Sequence, residues 1–114
     1  MTKLVRIYAG DDGQSHFDEI EIPMNDTPDL GQVSDAIKAK ELHFRNKKGV
    51  HDGDWHCVKG KQLVILIDGT LDVEVGDGSK HHFKSGDVFF CEDLTGQGHK
   101  VFGVDRKTIV IRLE

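Results

Sequence analysis

The sequence predicts an all-β sandwich or barrel, and three observations carry that expectation. β-branched residues number 24 (11 Val, 8 Ile and 5 Thr) against three alanines, and branching at Cβ suits a pleated strand while lowering helix propensity. Thirteen glycines with only two prolines supply tight turns that use positive φ rather than stiff linkers. Short apolar or alternating runs recur at spacings of about 8–12 residues between turn signals. A length of 114 residues fits one domain, residues 1–114, large enough to bury a modest core without disulfide staples.

Taken in order, strands are expected over residues 3–8 and 16–22, separated by Gly10-Asp11-Asp12-Gly13. Residues 23–31 hold both prolines and read as a loop. Residues 34–40 form the one helix-like piece, of one or two turns. Strand signals return over 41–45, 54–58 and 62–67, and Asp68-Gly69 closes the last of these. Residues 71–75 alternate apolar with polar, Gly76-Asp77-Gly78-Ser79 makes a hairpin into 81–84, and Ser85-Gly86-Asp87 turns into 88–91. A loop over 94–98 leads to strands at 99–104 and 107–113.

In Gln62-Leu63-Val64-Ile65-Leu66-Ile67 both alternating faces are apolar, so neither sits in open water. One face fills the interior. The other, made of Leu63, Ile65 and Ile67, needs a cover, either the N-terminal strands or a second subunit, and the sequence predicts a homodimer there.

The charge balance narrows the function classes. Twenty acidic against 15 basic residues give a net charge of −5, and the Lys and Arg residues are scattered, which argues against nucleic acid as a partner. The longest unbroken aliphatic run, residues 63–67, falls far short of the ~20 residues that span a bilayer. The start Met1-Thr2-Lys3-Leu4-Val5-Arg6-Ile7 places cations inside its apolar stretch, unlike a secretory signal. Two cysteines, Cys57 and Cys91, without a CxxC, read as reduced thiols, which predicts a cytoplasmic protein.

Two polar constellations stand out on this strand map. Asp54-Trp55-His56 precedes Gln62 by five intervening residues, and six more lead to Gly69. Further on, Gly86-Asp87 leads through residues 88–98 to His99. Together with Ile67-Asp68-Gly69-Thr70-Leu71 and Lys84-Ser85-Gly86-Asp87-Val88, these resemble the two halves of the cupin motif, over about residues 41–114. Asp54 stands where that family has its first metal-binding His, and Gln62 where it has its Glu. The resemblance implies a small single-domain cupin of the RmlC-like jelly-roll type, a double-stranded β-helix with N-terminal strands added to the sheet. It also implies a degenerate divalent-metal site for Fe, Mn, Zn or Ni, formed by His56, His99, Asp54 and Gln62, and a two-fold dimer.

The residues support two chemistries. Positions i and i+2 of a strand face the same way, so Asp54 and His56 point together, and two imidazoles with a carboxylate suit a divalent cation with open positions. Without a metal, the same residues form an oriented base: His56 as catalytic imidazole with Asp54 favouring one tautomer, and His99 opposite. His43 and Arg45 share a face that borders the pocket, Gln62 lines it, and Glu92-Asp93 opens the loop before His99 and gates the mouth. The expected ligand is a small polar organic molecule, and the expected activity is that of an isomerase, lyase or oxygenase. A non-catalytic ligand-binding or structural module is the alternative.

Overall fold

The computed structural model describes residues 2–114, and Met1, where the N-terminal reading begins, lies outside the described residues. Nine strands and no helix form among them: β1 (Thr2–Ala9), β2 (Ser15–Ile22), β3 (Met24–Thr27), β4 (Gly31–Ser34), β5 (Ala39–Asp52), β6 (Gln62–Glu74), β7 (Lys80–Phe83), β8 (Val88–Glu92) and β9 (Lys100–Leu113). The main sheet runs β2-β1-β8-β6-β9-β5, with β7 also paired to β6, while β3 and β4 form a separate hairpin. The all-β class expected from the sequence is therefore the observed one, as a jelly-roll whose sheet folds over itself without closing.

Three departures from the sequence reading have local causes. Residues 24–34 form a hairpin rather than a loop, residues 35–38 are irregular rather than helical, and an edge strand starts at Ala39. The Thr27 hydroxyl closes that hairpin, donating to the Gly31 carbonyl and accepting the Leu30 N–H. Expected strands 62–67 and 71–75 are one bent strand, β6, and those at 99–104 and 107–113 are one bent strand, β9. Residues 54–58 form no strand, and only His56 there pairs, with His99.

The bends share one row. Register shifts fall between Leu66 and Thr70 in β6 and between Lys47 and Val50 in β5, while β9 turns at Asp105, which has φ +48°. Gly69 is required at this crease. Its φ is +85°, and a Cβ there would lie 2.3 Å from the Asp105 carbonyl oxygen, so any side chain collides with backbone. The Asp105 carboxylate accepts the Gly49 N–H at 2.8 Å, tying β5 to the same row. Beyond the crease β6 pairs with β7 and the first half of β9, and before it with β8 and the second half of β9. Two layers result, and the core lies between them: Ile7, Leu66, Val73, Val75 and Phe83 are almost fully buried. Phe83 stacks on Phe89 with centroids 4.1 Å apart.

β1 joins β8 in parallel and β2 lies outside it, so the N-terminal strands extend the sheet sideways and leave its outer face open. Two cross-strand apolar rows run over that face, Phe90–Leu63–Ile111–Leu42 and Val88–Ile65–Ile109–Phe44. Phe44 is 74% exposed and Ile67 is 46% exposed.

Candidate functional site

His99 precedes β9, and His56 lies in the irregular segment between β5 and β6. Their backbones exchange two hydrogen bonds, His56 N–H to His99 O at 3.0 Å and His99 N–H to His56 O at 2.9 Å. Gly98 makes this approach feasible: at φ +81°, a Cβ there would sit 1.9 Å from the His56 oxygen. The two imidazoles meet with centroids 4.6 Å apart at an interplanar angle of 56°.

Behind His99 lies a buried polar chain. Its Nδ1–H donates to Asp93 Oδ2 at 2.5 Å, and the Ser15 hydroxyl donates to the same oxygen at 2.7 Å. Asp93 and Ser15 are 0% exposed and His99 is 3% exposed. An ionised carboxylate only accepts hydrogen bonds, so it fixes the His99 proton on Nδ1 and leaves Nε2, across the ring, for the cavity that His99 lines. Asp93 Oδ1 has no hydrogen-bond partner, although buried polar atoms are nearly always paired.

The cavity measures about 130 Å³, below the roughly 300 Å³ at the low end for drug-sized ligands. Val64, Leu71, Val73, Phe89 and Val110 form its apolar wall. His56, His99, Gln62 and Thr108 supply polar groups, and Arg45, Arg106 and His51 supply charged or titratable ones. Burial, then the charges of Arg106 and Lys47, hold the His51 imidazole below its ordinary pKa. Burial first and the neighbouring Arg45 second also lower that of Arg106. The Cys91 thiol is driven far up by burial, and secondarily by the Asp93 charge, so it stays protonated and inert at neutral pH.

The residues singled out from sequence divide accordingly. His56, His99, Gln62 and Arg45 all line the cavity. Asp54 does not hold His56 through its carboxylate: the His56 Nδ1–H donates to the Asp54 backbone carbonyl at 2.9 Å, and the Asp54 side chain is exposed. His43 is exposed and sits 3.5 Å from Glu41 on its own strand. Glu92 takes the opposite face of β8, where it accepts from Arg6 at 3.3 Å. Trp55 packs beneath the Lys100 ammonium, 5.0 Å from its ring centroid.

Sequence reasoning placed Asp93 at the mouth as a gate, whereas it is fully buried behind His99, and it missed Ser15 and Arg106. Alternation carried the signal for Asp93, because Phe89, Cys91 and Asp93 share the inward face as i, i+2 and i+4. Ser15 gave none, since its partner is 78 residues away.

The donor set does not suit a divalent cation. Among the described residues no group of three or more His, Cys, Asp or Glu side chains is disposed to hold a metal. The Asp54 carboxylate makes no hydrogen bond to His56, and two arginines border the space that the imidazoles line. Three imidazoles, His51, His56 and His99, border the cavity, but they are not disposed to ligate one ion together.

Fold and site together define a class: an all-β jelly-roll with a small cavity, a buried carboxylate–imidazole pair on one side of it, and arginines on its wall. No protein-family model matches the chain, and no curated protein does. Among solved structures it is similar to ethanolamine utilization protein Q (EutQ) of Salmonella typhimurium, at 14% identity over 99% of this chain and 96% of that one, with a TM-score of 0.49. It is similar also to the EutQ protein of Clostridium difficile, at 15% identity over 82% and 96%, TM-score 0.41. A Neisseria meningitidis protein matches at 14% identity over 64% and 72%, TM-score 0.46.

Proposed function

We propose that this is a small cupin-type protein, cytoplasmic and metal-free, that binds a compact polar organic molecule in the cavity and transfers a proton on it. The observation that carries this reading is the chain Ser15–Asp93–His99, buried at one end and open to the cavity at the other. A neutral His99 Nε2 accepts a proton from carbon next to a carbonyl, and the imidazolium so formed is stabilised by the Asp93 carboxylate. Returning that proton to a different face or atom completes an epimerisation or isomerisation. Expelling a β-hydroxyl, protonated by the same imidazolium, completes a dehydration. His56, ring to ring with His99, is the second group able to exchange a proton with the ligand. The free, reduced thiols of Cys57 and Cys91 support the cytoplasmic assignment.

The test is hydrogen exchange in D₂O. Small hydroxy and keto compounds are incubated with the protein, and loss of their C–H signals is followed by proton NMR. The expected result is exchange on at least one compound, abolished in His99→Gln while thermal unfolding stays cooperative. Exchange unaffected by His99→Gln removes His99 from the mechanism, and no exchange across the panel leaves a binding protein without catalysis.

The same reading includes a homodimer through the open outer face. Its apolar rows span four strands, and two-fold pairing sets Leu42 and Phe44 of each copy against the rows of the other.

A further inference from the structure

The cavity wall carries more positive charge than the fold needs. β5 and β9 pair with Arg45 opposite Thr108 and Lys47 opposite Arg106, so these four side chains stand on one face of the two-strand ribbon. Arg45 and Arg106 are diagonal neighbours, and both line the cavity with His99. Like charges side by side on a sheet destabilise it, and a half-buried guanidinium loses hydration as well. Neither arginine forms a salt bridge among the described residues, and burial and Arg45 are the influences acting on Arg106. The carboxylates nearest the crease, Asp105 and Asp68, each accept a backbone N–H, from Gly49 and Gly69, and neither makes an ion pair with Arg45 or Arg106. A pair of guanidiniums without salt-bridge partners, facing a cavity, is the arrangement that receives a planar oxyanion through forked hydrogen bonds.

We propose that the ligand of this cavity is a small organic acid whose carboxylate is received by Arg45 and Arg106, with its carbon skeleton directed along the apolar wall toward His99. This deepens the proton-transfer reading and rests on the same cavity. The limited volume, about 130 Å³, fits a compact acid better than a nucleotide or a sugar polymer. The charge pair also has a chemical use. Proton abstraction beside a carboxylate or keto acid builds negative charge on oxygen, and a fixed guanidinium stabilises that charge where it forms.

The experiment uses the full chain in low-chloride buffer, titrated separately with lactate, its neutral amide lactamide, and inorganic phosphate. Binding is read from the arginine Nε–H resonances and from thermal stabilisation. The expected result is saturable binding of lactate, shifting the Arg45 and Arg106 resonances, with lactamide roughly tenfold or more weaker. Arg106→Gln lowers lactate affinity by a similar factor and leaves lactamide unchanged. Should Arg106→Gln fail to fold, Arg45→Gln, on the exposed strand β5, serves the same purpose. Equal binding of lactate and lactamide, or lactate affinity unchanged in both variants, overturns the proposal. Phosphate binding more tightly than lactate overturns its carboxylate assignment. Lactate binding without any hydrogen exchange refutes the proton-transfer reading and leaves the acid-binding site standing. Exchange on neutral carbonyl compounds with no preference for acids does the reverse.

Discussion

Replacing Asp93 with alanine removes one oxygen that serves two buried donors, the Ser15 hydroxyl at 2.7 Å and the His99 Nδ1–H at 2.5 Å. Each donor left unpaired in the interior costs about 1–3 kcal/mol, giving about 2–6 kcal/mol for the two. Part is returned, because the same substitution removes a buried carboxylate whose Oδ1 has no partner. A net loss of about 2–4 kcal/mol is expected. At roughly 2.1 cal/mol/K per residue, a chain of this length loses about 4 °C of Tm per kcal/mol, so Asp93→Ala should melt about 8–16 °C lower. Asp93→Asn keeps the shape and one acceptor and should lose about half as much. Differential scanning calorimetry of wild type, Asp93→Ala, Asp93→Asn and Ser15→Ala supplies the values, and nitrogen-15 shifts of His99 report which ring nitrogen holds the proton. An Asp93→Ala protein melting within about 1 °C of wild type, with the His99 proton still on Nδ1, would refute the claim that Asp93 orients His99.

Other outcomes follow from neighbouring features. Gly98→Ala forces a side chain against the His56 carbonyl, so the His56–His99 backbone exchange should be lost, read as disappearance of ring-to-ring nuclear Overhauser effects and a drop in Tm. His51, with its pKa depressed by burial and by Arg106 and Lys47, is neutral in the fold at a pH where the unfolded chain is already protonated. Between the unfolded value of about 6.5 and the lower folded one, the unfolded state binds more protons and stability falls as pH falls; urea midpoints at pH 5 and pH 7 should differ less in His51→Gln than in wild type. Phe44→Glu places a charge on the open outer face without disturbing the interior, so light scattering should show a dimer for wild type and a folded monomer for the variant. A monomer mass for wild type at all concentrations would show that no second copy covers this face.

Legibility from sequence tracked how local each feature is. The turns at Gly76–Ser79 and Ser85–Asp87 and the alternation in β6 and β8 are set by neighbours within a few residues, and these were readable. His56, His99 and Gln62 are legible through the spacing that resembles the cupin motif and Arg45 through strand alternation, and all four line the cavity. The sequence predicts pairs of short strands where β6 and β9 run on, because Asp68-Gly69 has the composition of a turn and the pattern breaks at 105–106, whereas these positions bend strands that continue pairing on both sides. The segment 34–40 looked helical from composition, but pairing of β5 with β9 overrides a weak local preference from residue Ala39 onward. Asp93 reads in sequence only as part of an acidic gate, because its burial depends on Ser15 and His99, contacts that exist only after the sheet has assembled. The Asp54–His56 pairing failed for a related reason: the segment is not a strand, so the two side chains do not share a face.

The position of β9 between β6 and β5 also has a consequence for synthesis on the ribosome. Residues 39–52 emerge roughly sixty residues before the partner strand that pairs them from Ala39↔Leu113 to Asp52↔Phe102, and at typical elongation rates of about 5–20 residues per second that interval lasts several seconds. During it β5 exposes Leu42, Phe44 and Val50 with both backbone edges unpaired, the kind of segment that associates with other chains. Lys40, Arg45, Lys47 and Lys48 within the same strand supply the charge that keeps such an edge apart from its copies. The cations of β5 thus have a second use before the cavity exists: they protect a nascent strand until its last partner is made.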